Sequence, residues 1–365
     1  MDALAGTFDT LTDLRRRFGE ATPRQRVAVI AAVLALLLVA VVAIVRLTAS
    51  DDDTVDAYIA RSGLKGHSRL RVGVFNDQPL LGYAEDKTST RLADHEGFDT
   101  EVARYLAAYL GYSEESVELV DTQVQNRNRD LDNGRVDVVI ASFSMTDERE
   151  KEVDFAGPYL RSQPEVLMRA NDPRSSGSLS FRELSEMGKH LCTVGSSTSD
   201  SALRERQNNG FEGAGASGGC VQGLLDGTFD AFMLDDVVLA GYEDQYHDKL
   251  KMADLVFDQK EDYGIAVRNG DEALRQVIGN FLWDSYERGD NGAWQRAWNK
   301  TLGRVLKDDR PQPEPRPYKR LRDYRDRIRS SGPLGGRAPA DRTQPPAVLA
   351  AAPPARPVRR RGRPR

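Results

Sequence analysis

GRVDVVIASFSMTDEREKEVDFAGPY, Gly134 to Tyr159, is the stretch around which the rest of the 365-residue chain can be read. Its apolar run, Val136, Val138, Val139 and Ile140, stops in a small polar turn of Ala141, Ser142, Phe143 and Ser144, and a charged segment follows from Thr146. Such a run reads as a buried strand, and Thr146 with Arg149 three residues on marks the start of a short helix. In an open α/β sheet, ligands collect at the carboxyl ends of strands. Arg149 offers a planar fork of donors that matches a carboxylate two-pronged, while Ser142 and Ser144 can accept from an ammonium group. Together they fit an α-amino acid. The competing reading pairs Arg149 with Glu148, Glu152 or Asp154 on a solvated surface, where an ion pair contributes little.

Gly134, Val136, Asp137, Ser142, Ser144, Thr146, Arg149, Val153, Asp154, Phe155, Pro158 and Tyr159 fall in the register of a G-x-V-D … S-x-S-x-T-x-x-R … V-D-F-S-x-P-Y block. In that block the chain resembles the type 2 periplasmic solute-binding proteins, bacterial extracellular family 3, in their polar amino-acid branch. The opening is similar too: Leu70, Val72 and Val74 alternate as a half-buried strand, a loop follows at Phe75 to Pro79, and Gly97-Phe98-Asp99 opens a helix with Asp99 as its expected cap. Asp77-Gln78-Pro79 and Asn126-Arg127 look most like the actinobacterial glutamate-binding members. The resemblance implies an α/β fold of two lobes joined by two crossings, Pro164–Arg169 outward and Tyr263–Val267 returning.

Length allows two domains, and the balance of charge is uneven. From Pro311 onward fifteen Lys and Arg face four Asp and Glu, while the whole chain carries −5. The basic end therefore says nothing of nucleic-acid affinity in the folded part, and no nucleic-acid partner is expected. Two cysteines and four histidines offer no zinc cluster or haem site, so neither metal nor cofactor is expected. Val27 to Val45 run nineteen residues without a polar side chain, enough to span a hydrocarbon core of about 30 Å. Arginines before it and Asp51, Asp52 and Asp53 after it put the amino terminus in the cytoplasm and the rest outside. A cleaved signal peptide competes, since Thr48, Ala49 and Ser50 are small, but the apolar run exceeds the usual signal core of roughly 7–15 residues. Beyond Lys307 twelve prolines and few bulky aliphatics predict a disordered tail.

The expected organisation is a cytoplasmic basic segment 1–26, an anchor 27–45, a linker 46–66, lobe 1 at 67–163 and 263–306, lobe 2 at 164–262, and a Pro/Arg-rich tail 307–365. In lobe 2, Ser180 and Glu183 make a capping box. Strand 190–194 runs into Gly195-Ser196-Ser197-Thr198, either an anion site at a helix start or a plain capping turn. Asp235 and Asp236 sit where another strand gives way to a helix; Asp236 is expected to cap it. Trp294 and Trp298 read as core packing.

The resemblance then assigns the ligand set. Arg149 would take the α-carboxylate with Ser142 and Ser144 nearby, Asp235 the ammonium, and Ser197 and Thr198 the second polar loop; Asp77, Phe143 and Arg127 complete it. Cys192 and Cys220 are expected to form a disulfide in lobe 2, two buried thiols being the alternative. The implied function is capture of a polar or acidic L-amino acid and delivery to an ABC permease. Glutamate or aspartate is favoured over glutamine or asparagine. A sensing receptor acting on a cytoplasmic partner is the alternative, and an enzyme is not expected, since no catalytic constellation stands out. The basic tail is expected to meet anionic cell-wall polymers.

Overall fold

In this computed structural model the described residues are 22–48, 53–206, 210–257, 259–306 and 308–325. They open with helix α1 (Pro23–Thr48), whose 26 residues reach about 39 Å. Its Val27, Leu36 and Leu38 stand exposed. Among the described residues no helix is long and apolar enough to cross a membrane, and the expected span 27–45 includes positions whose side chains lie outside that description. Most of the expected cytoplasmic segment also lies outside it. Helix α2 (Val55–Ile59), capped by the Thr54 hydroxyl on Ala57 N–H, leads into the first lobe.

Strand β1 (Leu70–Val74) is expected to be half-buried, yet only Arg71 escapes full burial. Its place explains this: it lies inside a parallel array, where both faces are covered. A small antiparallel sheet of β2 (Asp77–Gln78), β3 (Gly82–Ala84) and β4 (His95–Glu96) follows. Helix α3 (Phe98–Leu110) packs on β1. Its cap position is Gly97, not Asp99: at φ 117° and with Leu81 O 2.2 Å from where a Cβ would stand, the chain admits only glycine there. Next come β5 (Val117–Asp121), helix α4 (Arg127–Asp132), β6 (Val138–Val139) and β7 (Val153–Ser162). The charged segment from Thr146 makes one 3₁₀ turn, Arg149–Lys151, with the Thr146 hydroxyl accepting from Arg149 N–H.

The second lobe carries β8 (Pro164–Arg169), β9 (Ser178–Ser180), helix α5 (Phe181–Glu186), β10 (Leu191–Val194), helix α6 (Thr198–Arg206), β11 (Glu212–Ala214), helix α7 (Ser217–Asp226), β12 (Ala231–Asp235), helix α8 (Asp236–Gln245) and β13 (Leu250–Val256). Both halves of the Ser180–Glu183 capping box form. Cys192 on β10 and Cys220 on α7 are disulfide-bonded, 28 residues apart. The chain then returns through β14 (Glu261–Arg268) to helices α9 (Glu272–Glu287) and α10 (Ala293–Lys300).

Sheet order is β5-β1-β6-β14-β7 in lobe 1 and β11-β10-β12-β8-β13-β9 in lobe 2. Strands β1, β5 and β6 are parallel, and β14 and β7 complete the sheet antiparallel. The lobes are therefore joined at Gln163, between β7 and β8, and between β13 and β14. Both segments read as crossings lie within sheets: Pro164–Arg169 is β8, inside the lobe 2 sheet, and Tyr263–Val267 lies within β14 in lobe 1. One apolar cluster runs from Leu70, Phe98 and Tyr159 of lobe 1 to Phe232 and Val238 of lobe 2. Trp294 and Trp298 stack at 5.1 Å within it, and Trp294 Nε1 donates to Tyr159 O.

The expectation of a disordered tail fails for residues 308–325. They form an extended strap over lobe 1, with Pro313, Pro315 and Leu321 buried. Prolines leave few N–H groups to satisfy, and polar side chains of α9 take part of the remaining backbone: Trp283 Nε1 donates to Arg316 O at 2.8 Å, Asn280 Nδ2 to Lys319 O at 2.9 Å, and Leu321 N to Asn280 Oδ1 at 3.0 Å. The Tyr318 ring fills the space above Gly279, where a Cβ would meet it at 2.4 Å. Near the start of the strap Arg310 pairs with Asp236 of lobe 2 at 2.7 Å, and toward its end Lys319 pairs with Asp53 at 2.5 Å. Residues from 326, with much of the tail's basic charge, lie outside the described residues.

Candidate functional site

Between the lobes lies a cavity with about 340 Å³ of empty space, counting the part open to solvent. Lobe 1 contributes Phe75, Gln78, Arg127, Ser142, Ser144 and Arg149, and lobe 2 contributes Val194, Ser197, Thr198, Ser217, Leu234 and Asp235. The lobes meet closely around it. Pro79 O stands 2.0 Å from where a Cβ on Gly241 of α8 would be, so only glycine permits this approach. Opposite Pro79, Asp77 Oδ2 accepts from Gly218 N–H of α7 at 3.2 Å, and Tyr242 donates its hydroxyl proton to Asp77 O at 2.7 Å.

The turn after β6 is held open to the cavity by Asp99. Freed from capping, its buried carboxylate accepts from Ser142 N–H at 2.9 Å and from the Tyr159 hydroxyl at 2.8 Å. Burial pushes the Asp99 carboxyl up to about 6. Ser142 takes φ 38°, a rare value for a residue with a side chain, and its hydroxyl donates to Gln78 Oε1 at 3.4 Å. Gln78 in turn reaches Ser217 Oγ across the cleft at 3.4 Å.

Two guanidiniums face the cavity. Arg149 donates to Ser144 O at 2.9 Å and, across the cleft, to Ser196 O at 3.3 Å. The guanidinium has five donors, so others remain for a ligand. Burial lowers its pKa, against the opposing pull of Glu261 and Asp235. Arg127 is fully buried, stacked 3.8 Å over the Phe143 ring and donating to Ala141 O at 2.9 Å. Burial, then the neighbouring Arg149, drives its pKa well down.

On the lobe 2 side Asp235 ends β12. One oxygen, Oδ2, accepts from the Tyr263 hydroxyl; the other, Oδ1, is buried with no hydrogen-bond partner among the described residues. Burial, followed by the charge of Glu261, pushes its carboxyl well up. The cap position of α8 is Asp235, without a side-chain bond, whereas Asp236 is the first helical residue and accepts from Val237 N at 2.7 Å, Ser162 Oγ at 2.5 Å and Arg310. The expectation that Asp236 caps the helix is thus corrected by one position.

Seven of the nine ligand-set residues line the cavity: Arg149, Arg127, Ser142, Ser144, Asp235, Ser197 and Thr198. Ser197 does so while its hydroxyl accepts from Asp200 N–H at 3.0 Å, the plain capping role. Asp77 and Phe143 stand outside the lining. Asp77 spends its carboxylate on Gly218, and Phe143 backs Arg127 with its edge against Phe155. Sequence reasoning missed Gln78 and Ser217 as lining residues, and missed Glu261, whose Oε2 accepts from Ser144 Oγ and Thr198 Oγ1. Its only signal was spacing: two residues before Tyr263, it shares that residue's strand face.

Comparison with known proteins agrees with this geometry. Residues 70–301 match the family model of bacterial extracellular solute-binding proteins, family 3. The glutamate-binding protein GluB of Corynebacterium glutamicum is 27% identical over 279 residues, covering 74% of this chain and 90% of that protein. The ABC transporter glutamine-binding protein GlnH of Bacillus subtilis is 27% identical over 243 residues, 66% of this chain and 84% of that one. Among solved structures, the solute receptor for L-cysteine of Neisseria gonorrhoeae superposes with TM-score 0.60 at 25% identity, over 72% of this chain and 98% of that one. An ancestral arginine-binding protein bound to glutamine gives TM-score 0.56 at 26% identity, over 65% and 98%. With two α/β lobes, a polar cleft between them and this match, the chain belongs to the bacterial extracellular solute-binding proteins of family 3.

Proposed function

We propose that the protein is a membrane-anchored extracytoplasmic receptor that captures a polar or acidic L-amino acid by lobe closure and delivers it to an ABC permease. One observation carries the reading: a guanidinium with spare donors, Arg149, and a carboxylate with an unpartnered oxygen, Asp235, face one cavity from opposite lobes. A zwitterion satisfies both, and each half alone binds weakly, so occupancy favours the closed form. Glutamate or aspartate fits best because Arg127 adds a second buried cation, and the relatives' names support glutamate and glutamine; asparagine is next. The apolar run Val27–Val45 is the proposed uncleaved anchor, with the lobes outside. Intact mass of the protein taken from membranes tests it, and an amino terminus near Asp51 would contradict it.

A second reading, a receptor that signals to a cytoplasmic partner, is favoured by the strap. It runs from Asp236, next to Asp235, to Asp53, just beyond α1. A thermal-shift screen of twenty L-amino acids against the full-length chain tests the common core of both readings. A specific ligand at about a hundred times its Kd stabilises by about 2.7 kcal/mol, and a flat response to all twenty would reject the binding function.

A further inference from the structure

Two buried carboxylate oxygens beside the cavity lack a hydrogen-bond partner among the described residues: Oδ1 of Asp235 and Oε1 of Glu261. Their sister oxygens are engaged, Asp235 Oδ2 by the Tyr263 hydroxyl and Glu261 Oε2 by Ser144 Oγ at 2.5 Å and Thr198 Oγ1 at 2.7 Å. Glu261 and Tyr263 are two apart on β14 and so project from one face, which brings Glu261 toward the wall that Asp235 occupies. A buried acceptor left without a donor is costly. Asp235 lines the cavity and Glu261 stands behind Ser144 and Thr198, which line it too, so the two orphaned oxygens mark where donors are to arrive.

The hydroxyls add polarity. Each carries a single hydrogen. Because Ser144 and Thr198 give theirs to Glu261, only lone pairs remain to turn toward the cavity, and these can accept from a cation but cannot donate to a carboxylate.

We propose that Glu261 is a specificity-determining residue that joins Asp235 in a two-carboxylate seat for the ligand's α-ammonium and fixes Ser144 and Thr198 as acceptors for the same cation. An ammonium has three N–H donors. The seat meets them with Asp235 Oδ1, Glu261 Oε1 and a hydroxyl lone pair, and Arg149 is left to the carboxylate end. The inference rests on the amino-acid reading above. The charged and titratable groups facing the seat are Arg149 after β6, Arg127 on α4, Asp236 at the start of α8 and Tyr263 on β14. Burial and the Glu261 charge hold the Asp235 carboxyl high. A protonated carboxyl cannot receive the ammonium as an ion, so affinity falls as pH falls.

The test is calorimetric titration of the full-length protein and its Glu261→Gln variant with a panel of twenty L-amino acids from pH 5 to 8, with thermal unfolding of each. Glu261→Gln is expected to melt within a few degrees of the parent and to bind the parent's best amino acid at least tenfold more weakly at pH 7.5. Its acid-side loss should also move to lower pH, because the charge that raises Asp235 is gone. Binding within threefold of the parent overturns the assignment. Weaker binding with the parental pH profile overturns it as well, since a mere support for the two hydroxyls would give that result. If Glu261→Gln fails to fold, Glu261→Asp replaces it; its shorter reach should weaken binding at least fivefold, and parental affinity overturns the proposal. A parent that binds none of the twenty amino acids defeats the amino-acid reading itself, whereas a parent that binds and a variant that matches it defeat only the role of Glu261.

Discussion

Removing the Arg149 guanidinium would leave a ligand carboxylate in a buried cleft without its charge-assisted partner, a cost on the order of 2–5 kcal/mol, or roughly 30- to several-thousand-fold in Kd. Arg149→Ala is expected to show that loss by calorimetry while remaining folded, and affinity within about threefold of the parent would contradict the clamp. Lysine should not restore it, because an ammonium lacks the two-pronged geometry. Asp235→Asn should weaken binding in the same assay by stranding the ligand's ammonium. Asp99 acts one step back, holding the Ser142 turn. Its carboxyl, raised to about 6 from an ordinary value near 3.8, binds more protons folded than unfolded between those values. Its contribution to stability is therefore fullest below about pH 4 and is lost as pH rises through 6. Asn at this position cannot titrate but also cannot accept from both Ser142 and Tyr159. Urea unfolding should find Asp99→Asn destabilised, with the penalty smaller at pH 7.5 than at pH 4.5 by about 2 kcal/mol; a constant penalty would show that Asp99 does not titrate as described.

What was legible at the level of elements was local. The strand at Val138 and Val139, the Ser180 capping box and the stacked tryptophans depend on neighbours three or four residues away or on the period of one element. Glu261 was not legible because Lys260 and Asp262 flank it, and a run of charge reads as a solvated face until β14 is placed inside a sheet. The cap of α3 was misread for a related reason: the chain's need for a left-handed glycine against Leu81 O is a tertiary fact, and it frees Asp99 for the cleft. The strap is the largest departure. Its proline-rich composition resembles that of unfolded chains, but its anchors, Tyr318 and Leu321, find their partners on α9, where Gly279 leaves room for the Tyr318 ring and buried Asn280 accepts from Leu321 N. Leu321→Ala is expected to cost about 2–4 kcal/mol, as for other fully buried leucines. Denaturant unfolding of the full-length chain measures it, and a change under about 0.5 kcal/mol would mean the strap does not stay on lobe 1.

At the scale of the molecule a set of polar contacts that tie the lobes together meets at one cleft. Asp77 reaches Gly218, Gln78 reaches Ser217, Arg149 reaches Ser196, and Glu261 spans Ser144 and Thr198. These polar ties are individually weak, whereas a zwitterion between Arg149 and Asp235 would add charge-assisted bonds to both sides at once. Such a ligand closes the lobes by binding the closed form better. Hydrogen–deuterium exchange of the full-length protein, with and without the amino acid that gives the largest thermal shift, tests this most directly. Slower exchange is predicted together at residues 142–149 of lobe 1 and at 196–200 and 235–238 of lobe 2. Protection confined to one lobe, or found only away from these segments, would contradict a ligand held between them.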